Sequence, residues 1–354
     1  MALRATYIKK IFEFNFNART SRGAMNDKTS WFIKLWDDRD PTRFGLGESG
    51  PLPGLSIDAG PAFDDMLSEF VNDVNASDEN LPLHELWRHP ALKSPAILFG
   101  VETAYRDLAN GGFRKIFNNE FQKGLQIPIN GLVWMAPADD MIEQVRKKVE
   151  AGFSCIKLKI GALDFSQECD VLRFVRKKFG DTITIRVDAN GAFQANNVYE
   201  KLERLKQFDI HSIEQPLKKG DAALKAVCQV SPIPIALDEE LIGIFSVEEK
   251  RELLYSIKPA YIILKPTLHG GFKGCSEWIE LAEEQGIGWW ITSALESNIG
   301  LNAICQFTAN YSVTLPQGLG TGAIYANNIS SPLTVKNGQI FHDTQRKWDL
   351  EPLL

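Results

Sequence analysis

The sequence predicts an α/β protein: a closed barrel of parallel strands and helices, with a separate α+β segment in front of it. Three observations lead there. From about Pro128 onward, short apolar runs alternate with longer amphipathic ones, whereas the residues before it follow a different pattern. Five ionisable residues also recur, one per apolar run, at nearly even spacing. The 354 residues suffice for a barrel plus a smaller partner.

The N-terminal segment, residues 1–127, opens with RATYIKKIFEFNF and TSWFIKLWD, whose alternation reads as two strands. The stretch FGLGESGPLPGLS reads as a loop rich in glycine and proline, and helices are expected near PAFDDMLSEFVNDV and SPAILFGVETAYRDLANG. Residues 128–325 carry the repeat. Its strand candidates are PINGLVWM, CIKLKIG, ITIRVDANG, IHSIEQPL, IPIALDEEL, AYIILKPTLHGG, GIGWWITSALES and a weaker VTLPQGLG. Segments such as DDMIEQVRKKVEAG and SQECDVLRFVRKKFG between them place apolar residues three and four apart, as helices do. Eight strands separated by single helices suggest closure into a barrel; an open doubly wound sheet is the alternative, weakened because no Gly-rich dinucleotide fingerprint follows an early strand. The last segment, 326–354, contains LTVKNGQIF, whose Asn-Gly signals a hairpin expected to return to the first domain and complete it.

Composition excludes several classes. A net charge of −6 without a long basic run argues against nucleic-acid and anionic-membrane surfaces, leaving a small metabolite as the expected partner. The five cysteines show no CxxC spacing and an odd count, which fits reduced thiols in a cytoplasmic protein. The start, MALRATYIKKIFEFNF, is broken by charge before a signal-peptide core forms, and no apolar run reaches membrane-span length. Oligomeric state leaves no signal in the sequence.

Chemistry concentrates at the strand ends. Lys159, Asp188, Glu214, Asp238 and Lys265 close the second to sixth strand candidates at separations of 29, 26, 24 and 27 residues, each about one βα unit. In a barrel, the carboxyl ends of strands are where active sites form, so these charges should converge on one mouth. Three acids there would repel one another unless a cation binds them, and oxygen-only ligands point to Mg²⁺ or Mn²⁺. Lys157 and Lys159 share a strand face. A substrate carboxylate between Lys159 and Lys265 would acidify its neighbouring carbon, and Lys159, its pKa lowered by Lys157 and the dication, would take the proton.

The pattern Lys157-x-Lys159, Asp188-Ala-Asn190, Glu214-Gln-Pro216, Asp238-Glu239 and Lys265 resembles the muconate-lactonising subgroup of the enolase superfamily. The resemblance implies a modified TIM-type (β/α)7β barrel with an N-terminal α+β capping domain. It makes Asp188, Glu214 and Asp238 ligands of Mg²⁺, and Lys159 and Lys265 the opposed acid/base pair, with Asn190 and Glu239 supporting them. None of the five histidines lies near the end of the seventh strand, unlike mandelate-racemase-like members, and the Asp-x-Asp of dipeptide epimerases is absent from GLGTGAIYANN. That segment and SALESNIGLNAICQFTA resemble the o-succinylbenzoate synthases, lyases that make a menaquinone precursor. The resemblance implies a syn dehydration: Lys159 removes the proton alpha to the Mg-bound carboxylate and returns it to the departing hydroxyl, while Lys265 stabilises the enediolate. Ser293, Ser21 and Arg22 are candidates for the substrate's succinyl end, although Ser293 also suits a helix cap. Glu296 is expected to support Lys265 or cap the next helix, and Trp289 and Trp290 to sit in the core. An N-succinylamino-acid racemase is the nearest rival; a non-catalytic carboxylate-binding barrel is a remoter one.

Overall fold

In the computed structural model, residues 2–20, 23–76 and 86–353 are described. Long strands β1 (Leu3–Thr20) and β2 (Gly23–Asp37) pair antiparallel, and β3 (Asp40–Ser49) joins β2 on its other edge. Helices α1 (Phe63–Ala76) and α2 (Pro95–Ala109) cover this sheet. Phe63, Leu67, Phe70 and Val74 recur at helical spacing on α1 and bury that stripe with Ile33, Leu35, Ile97 and Val101. Ser94 caps α2, accepting from the Ile97 N–H at 3.2 Å, with Pro95 in the first turn.

The glycine-rich stretch expected to be a loop is half strand: Phe44–Ser49 belong to β3. Its glycines serve close packing. A Cβ on Gly45 would stand 1.8 Å from the Ala104 carbonyl oxygen, and one on Gly47 1.9 Å from that of Gly100, so only glycine lets α2 lie directly on β3. The loop proper begins at Gly50.

Seven parallel strands follow in the spatial order of the sequence: β5 (Gly131–Val133), β6 (Cys155–Lys159), β7 (Thr184–Asp188), β8 (Ile210–Glu214), β9 (Ile235–Leu237), β10 (Tyr261–Leu264) and β11 (Gly288–Ile291). Helices α3 (Ala138–Glu150), α4 (Phe165–Phe179), α5 (Val198–Lys206), α6 (Leu224–Val230), α7 (Val247–Ile257), α8 (Gly271–Glu284) and α9 (Asn298–Thr308) alternate with them. The main core lies between strands and helices, where the apolar face of each strand meets the apolar stripe of each helix. Trp290 is buried and Trp289 packs against that core.

The eighth strand contracts to Gln317 and Gly318, which bridge in parallel to Ile129 and Thr292 and close the ring. Pro316 beside them has no N–H to offer a ladder, which limits how far this strand can extend. Among the described residues, no helix is long and apolar enough to cross a membrane.

Hairpin β12 (Leu333–Lys336) and β13 (Gln339–His342) forms at the Asn-Gly turn, but it pairs with β4 (Ile127–Pro128) instead of the N-terminal sheet. The C-terminal segment meets that sheet on either side of the hairpin. Phe14 bridges Tyr325, and Tyr325, Ile329 and Leu353 share a buried cluster with Phe12, Phe32 and Leu46.

Candidate active site

Strand register brings the charged residues level. Lys159 pairs with Asp188, Asp188 with Glu214, and Glu214 with Ala236, so three of them form one rung across β6, β7 and β8. Asp238 and Lys265 follow the ends of β9 and β10. In an eight-membered ring β10 lies four places from β6, which sets Lys265 across the mouth from Lys159.

The side chains interlock. Lys159 Nζ donates to Asp188 Oδ2 at 2.6 Å and to Asn190 Oδ1 at 2.9 Å. Asn190 Nδ2 in turn donates to Glu239 Oε1 at 3.0 Å, so the two residues expected to support the site form one chain behind Lys159. Lys157 Nζ bridges Asp188 Oδ2, at 2.9 Å, and Glu214 Oε2. Lys265 Nζ contacts Asp238 Oδ2. Burial opposes the charge on Asp188, but Lys157 and Lys159 outweigh it and hold its carboxyl below the usual range. Lys265 does the same for Asp238. Glu214 goes the other way: burial and the neighbouring Asp188 push it well above the carboxylate range, against the attraction of Lys157. Burial likewise works against the ammonium of Lys157, yet Asp188 and Glu214 hold it above the lysine range.

The donor set suits a hard divalent cation. Glu214 Oε1 and Asp238 Oδ1 are buried carboxylate oxygens with no hydrogen-bond partner among the described residues. Among those residues no three His, Cys, Asp or Glu side chains already stand in a metal-binding cluster, and Lys157 bridges Asp188 and Glu214.

A cavity of about 300 Å³ opens over this rung, lined by Lys157, Lys159, Asn190, Glu214 and Lys265 on the barrel side. Glu214 is the one carboxylate among its described lining residues, against three lysines. Ser293 lines it too, its Oγ 2.6 Å from Thr321 Oγ1; the helix cap is instead Ser297, which accepts from Ile299 N–H. Ser21 and Arg22 lie outside the described residues. Glu296 neither contacts Lys265 nor caps α9. It accepts from the Thr267 hydroxyl and, at 2.6 Å, from the Ala294 N–H, tying the sixth strand end to the seventh.

Sequence reasoning missed Asn130, Trp134 and Thr321 in the cavity wall and Met25, Leu52 and Leu55 in its roof. The roof residues sit in or beside the Gly/Pro loop and the β1–β2 turn, but no periodicity marked them individually. Gln215 was also missed: its Oε1 accepts from the N–H groups of Asp238 and Glu240 at 3.2 Å each, locking the ends of β8 and β9 together. Its φ of 39° is a strained value that the run Glu-Gln-Pro does not advertise.

The family model for enolase C-terminal domain-like proteins matches residues 140–345. The chain belongs to the enolase superfamily. It is 42% identical, over 95% of its length and 98% of the relative's, to the o-succinylbenzoate synthase of Desulfotalea psychrophila. The crystal structure of MenC from the same organism superposes with a TM-score of 0.84, covering 96% of this chain and all of that one at 38% identity. Within the superfamily the chain therefore falls among the o-succinylbenzoate synthases, a family of lyases. The fold alone is shared more widely: a dipeptide epimerase from Enterococcus faecalis, complexed with Mg and a dipeptide, is 18% identical with a TM-score of 0.81 over 96% of this chain and 97% of its own.

Proposed function

We propose that the protein dehydrates 2-succinyl-6-hydroxy-2,4-cyclohexadiene-1-carboxylate to o-succinylbenzoate, a step toward menaquinone in the cytoplasm. The observation that carries this reading is one cavity with Lys159 and Lys265 in its wall and Glu214 as the one carboxylate among its described lining residues. The three lysines are matched by the three carboxylates they contact, so a divalent cation added there leaves the mouth positive, which suits a substrate with two carboxylates. An ammonium-bearing dipeptide would find no counter-ion among those residues beyond Glu214, which is taken up with Lys157.

Lys159 takes the proton alpha to the ring carboxylate. It then returns the same proton to the hydroxyl leaving from that face, so that water departs and the ring becomes aromatic. Asp188 and Asn190 fix where the Lys159 amine points. Lys265 faces the developing enediolate from the other side and offsets its charge. A magnesium ion held by Asp188, Glu214 and Asp238 would supply the positive charge that acidifies the carbon next to the bound carboxylate. Residues 1–127, with 326–354, act as the cap that closes the mouth of the 128–325 barrel, contributing Met25, Leu52 and Leu55.

The test is to offer the purified protein, with Mg²⁺, the hydroxylated cyclohexadiene and a panel of N-succinylamino acids. Conversion of the first to o-succinylbenzoate at the higher kcat/KM is expected. Efficient racemisation with the cyclohexadiene left intact would replace this reading by that of an N-succinylamino-acid racemase.

A further inference from the structure

Leu295 is a leucine at φ 61°, in the left-handed region where a side chain costs roughly 1–2 kcal/mol. It lines the cavity and packs with Leu52 and Ala294. Its carbonyl oxygen accepts two hydrogen bonds, from Lys28 Nζ at 2.8 Å and from Tyr325 Oη at 2.6 Å. Lys28 belongs to β2, whose first residues, Gly23 to Met25, also line the cavity. It is only 4% exposed, so its ammonium has left water to reach that carbonyl.

A second contact fixes the same junction. Glu48, at the end of β3 and fully buried, accepts from the Ser297 N–H at 2.9 Å, the Ser297 hydroxyl at 2.6 Å and the Gly300 N–H at 3.0 Å. A carboxylate of the N-terminal sheet thus caps barrel helix α9, where the helix dipole favours negative charge. Lys28 Nζ lies 3.9 Å from that carboxylate. The packing leaves no slack: a Cβ on Gly50 would sit 2.7 Å from Lys28 Nζ.

We propose that Lys28 is a positioning residue for the reaction: it holds Leu295 in its left-handed conformation and so sets the apolar wall between the seventh strand and the roof of the cavity. It touches no reacting atom. Its effect on catalysis passes through Leu295 and is felt in substrate binding more than in proton transfer. The kinetic part of this inference rests on the dehydration proposed above; the conformational part does not.

The experiment uses the full chain and two variants, Lys28→Met, which keeps an apolar stem, and the milder Tyr325→Phe, which deletes only the second donor. Hydrogen exchange of segment 293–300 is followed alongside steady-state kinetics on the cyclohexadiene. Both variants should exchange faster across 293–300, with Lys28→Met showing KM raised on the order of tenfold and kcat changed by less than about threefold. Unchanged exchange in both variants overturns the inference, as does a fall in kcat with KM unaltered. A wild-type protein that leaves the cyclohexadiene intact would sink the dehydration reading, and exchange in the two variants would still decide the role of Lys28.

Discussion

Replacing Lys159 by alanine should separate catalysis from folding. The substitution removes two hydrogen bonds, to Asp188 at 2.6 Å and to Asn190 at 2.9 Å. Asp188 is not orphaned: Lys157 remains 2.9 Å from Oδ2, and the Asn190 N–H still donates to Oδ1 at 3.0 Å. Asn190 keeps its bond to Glu239. The loss should therefore stay near the value of one charged hydrogen bond, about 1.5–3 kcal/mol, and not approach that of a stranded buried charge. For 354 residues that corresponds to a fall in Tm of a few degrees, at about 1–2 °C per kcal/mol when the unfolding entropy is scaled with chain length. Activity should respond on another scale, because in the proposed mechanism the same amine takes the proton and gives it back. Each positioned proton transfer contributes about 10²–10⁴, so kcat should drop on the order of a thousandfold or more. The assay pairs the ultraviolet signal of o-succinylbenzoate formation with thermal unfolding and Mg²⁺ calorimetry. A variant that folds, binds the metal and retains kcat within about tenfold of the parent would refute the proton-transfer role.

Further outcomes follow from the same structure. Exhaustive chelation should abolish turnover, and Glu214→Gln should weaken Mg²⁺ binding measured by calorimetry, because one of the three proposed acidic donors loses its charge; unaltered affinity would remove Glu214 from the ligand set. Glu102 on α2 accepts from the Phe272 N–H at 2.8 Å, and burial raises its pKa from 4.5 to about 7. A carboxyl raised in the folded state favours folding fully below its unfolded pKa and loses that contribution as pH climbs to about 7. Glu102→Gln should therefore be more stable than the parent at pH 8, by on the order of 3 kcal/mol, and unfold at higher temperature, with the gap closing below pH 5; a pH-independent gap would contradict this. Gly47→Ala should destabilise the protein by more than about 3 kcal/mol in chemical denaturation, since its methyl group would meet backbone that cannot yield.

Much of this was legible because it is periodic. The one-per-strand recurrence from Lys159 to Lys265 follows from the βα repeat, so spacing alone led to a rung that strand register reproduces. Periodicity also accounts for the helices of the barrel. What escaped lacks a period. Gly45 and Gly47 looked like loop residues because glycine marks both turns and close backbone approach, and sequence does not tell the two apart. The hairpin was visible in its Asn-Gly turn, but which edge it would join depended on β4, a strand of two residues. Lys28 meets Leu295, and Glu48 meets Ser297, only after the cap sheet docks on the barrel, across separations of 267 and 249 residues, and no local pattern reports such a meeting. The same holds for the cavity wall, where Asn130 and Thr321 come from opposite ends of the barrel segment.

The two-residue seam at Gln317 and Gly318 bears on how the chain reaches this state at all. Every other neighbouring pair of strands in the ring is joined through one βα unit, so those ladders can zip up progressively from any point. The seam joins Gln317 to Ile129, 188 residues away, and must wait until the six strands between are in order. An open, curled sheet should therefore precede the finished ring during refolding, with its two edges exposed and prone to pairing with other chains. Gln317 then fastens both sides at once: its backbone bonds to Pro128 and Asn130, just ahead of the first strand, while its side-chain Oε1 accepts from the Ile291 N–H at 2.7 Å on the seventh. Weakening that clasp should slow the last phase of folding and raise aggregation well before it troubles the finished enzyme.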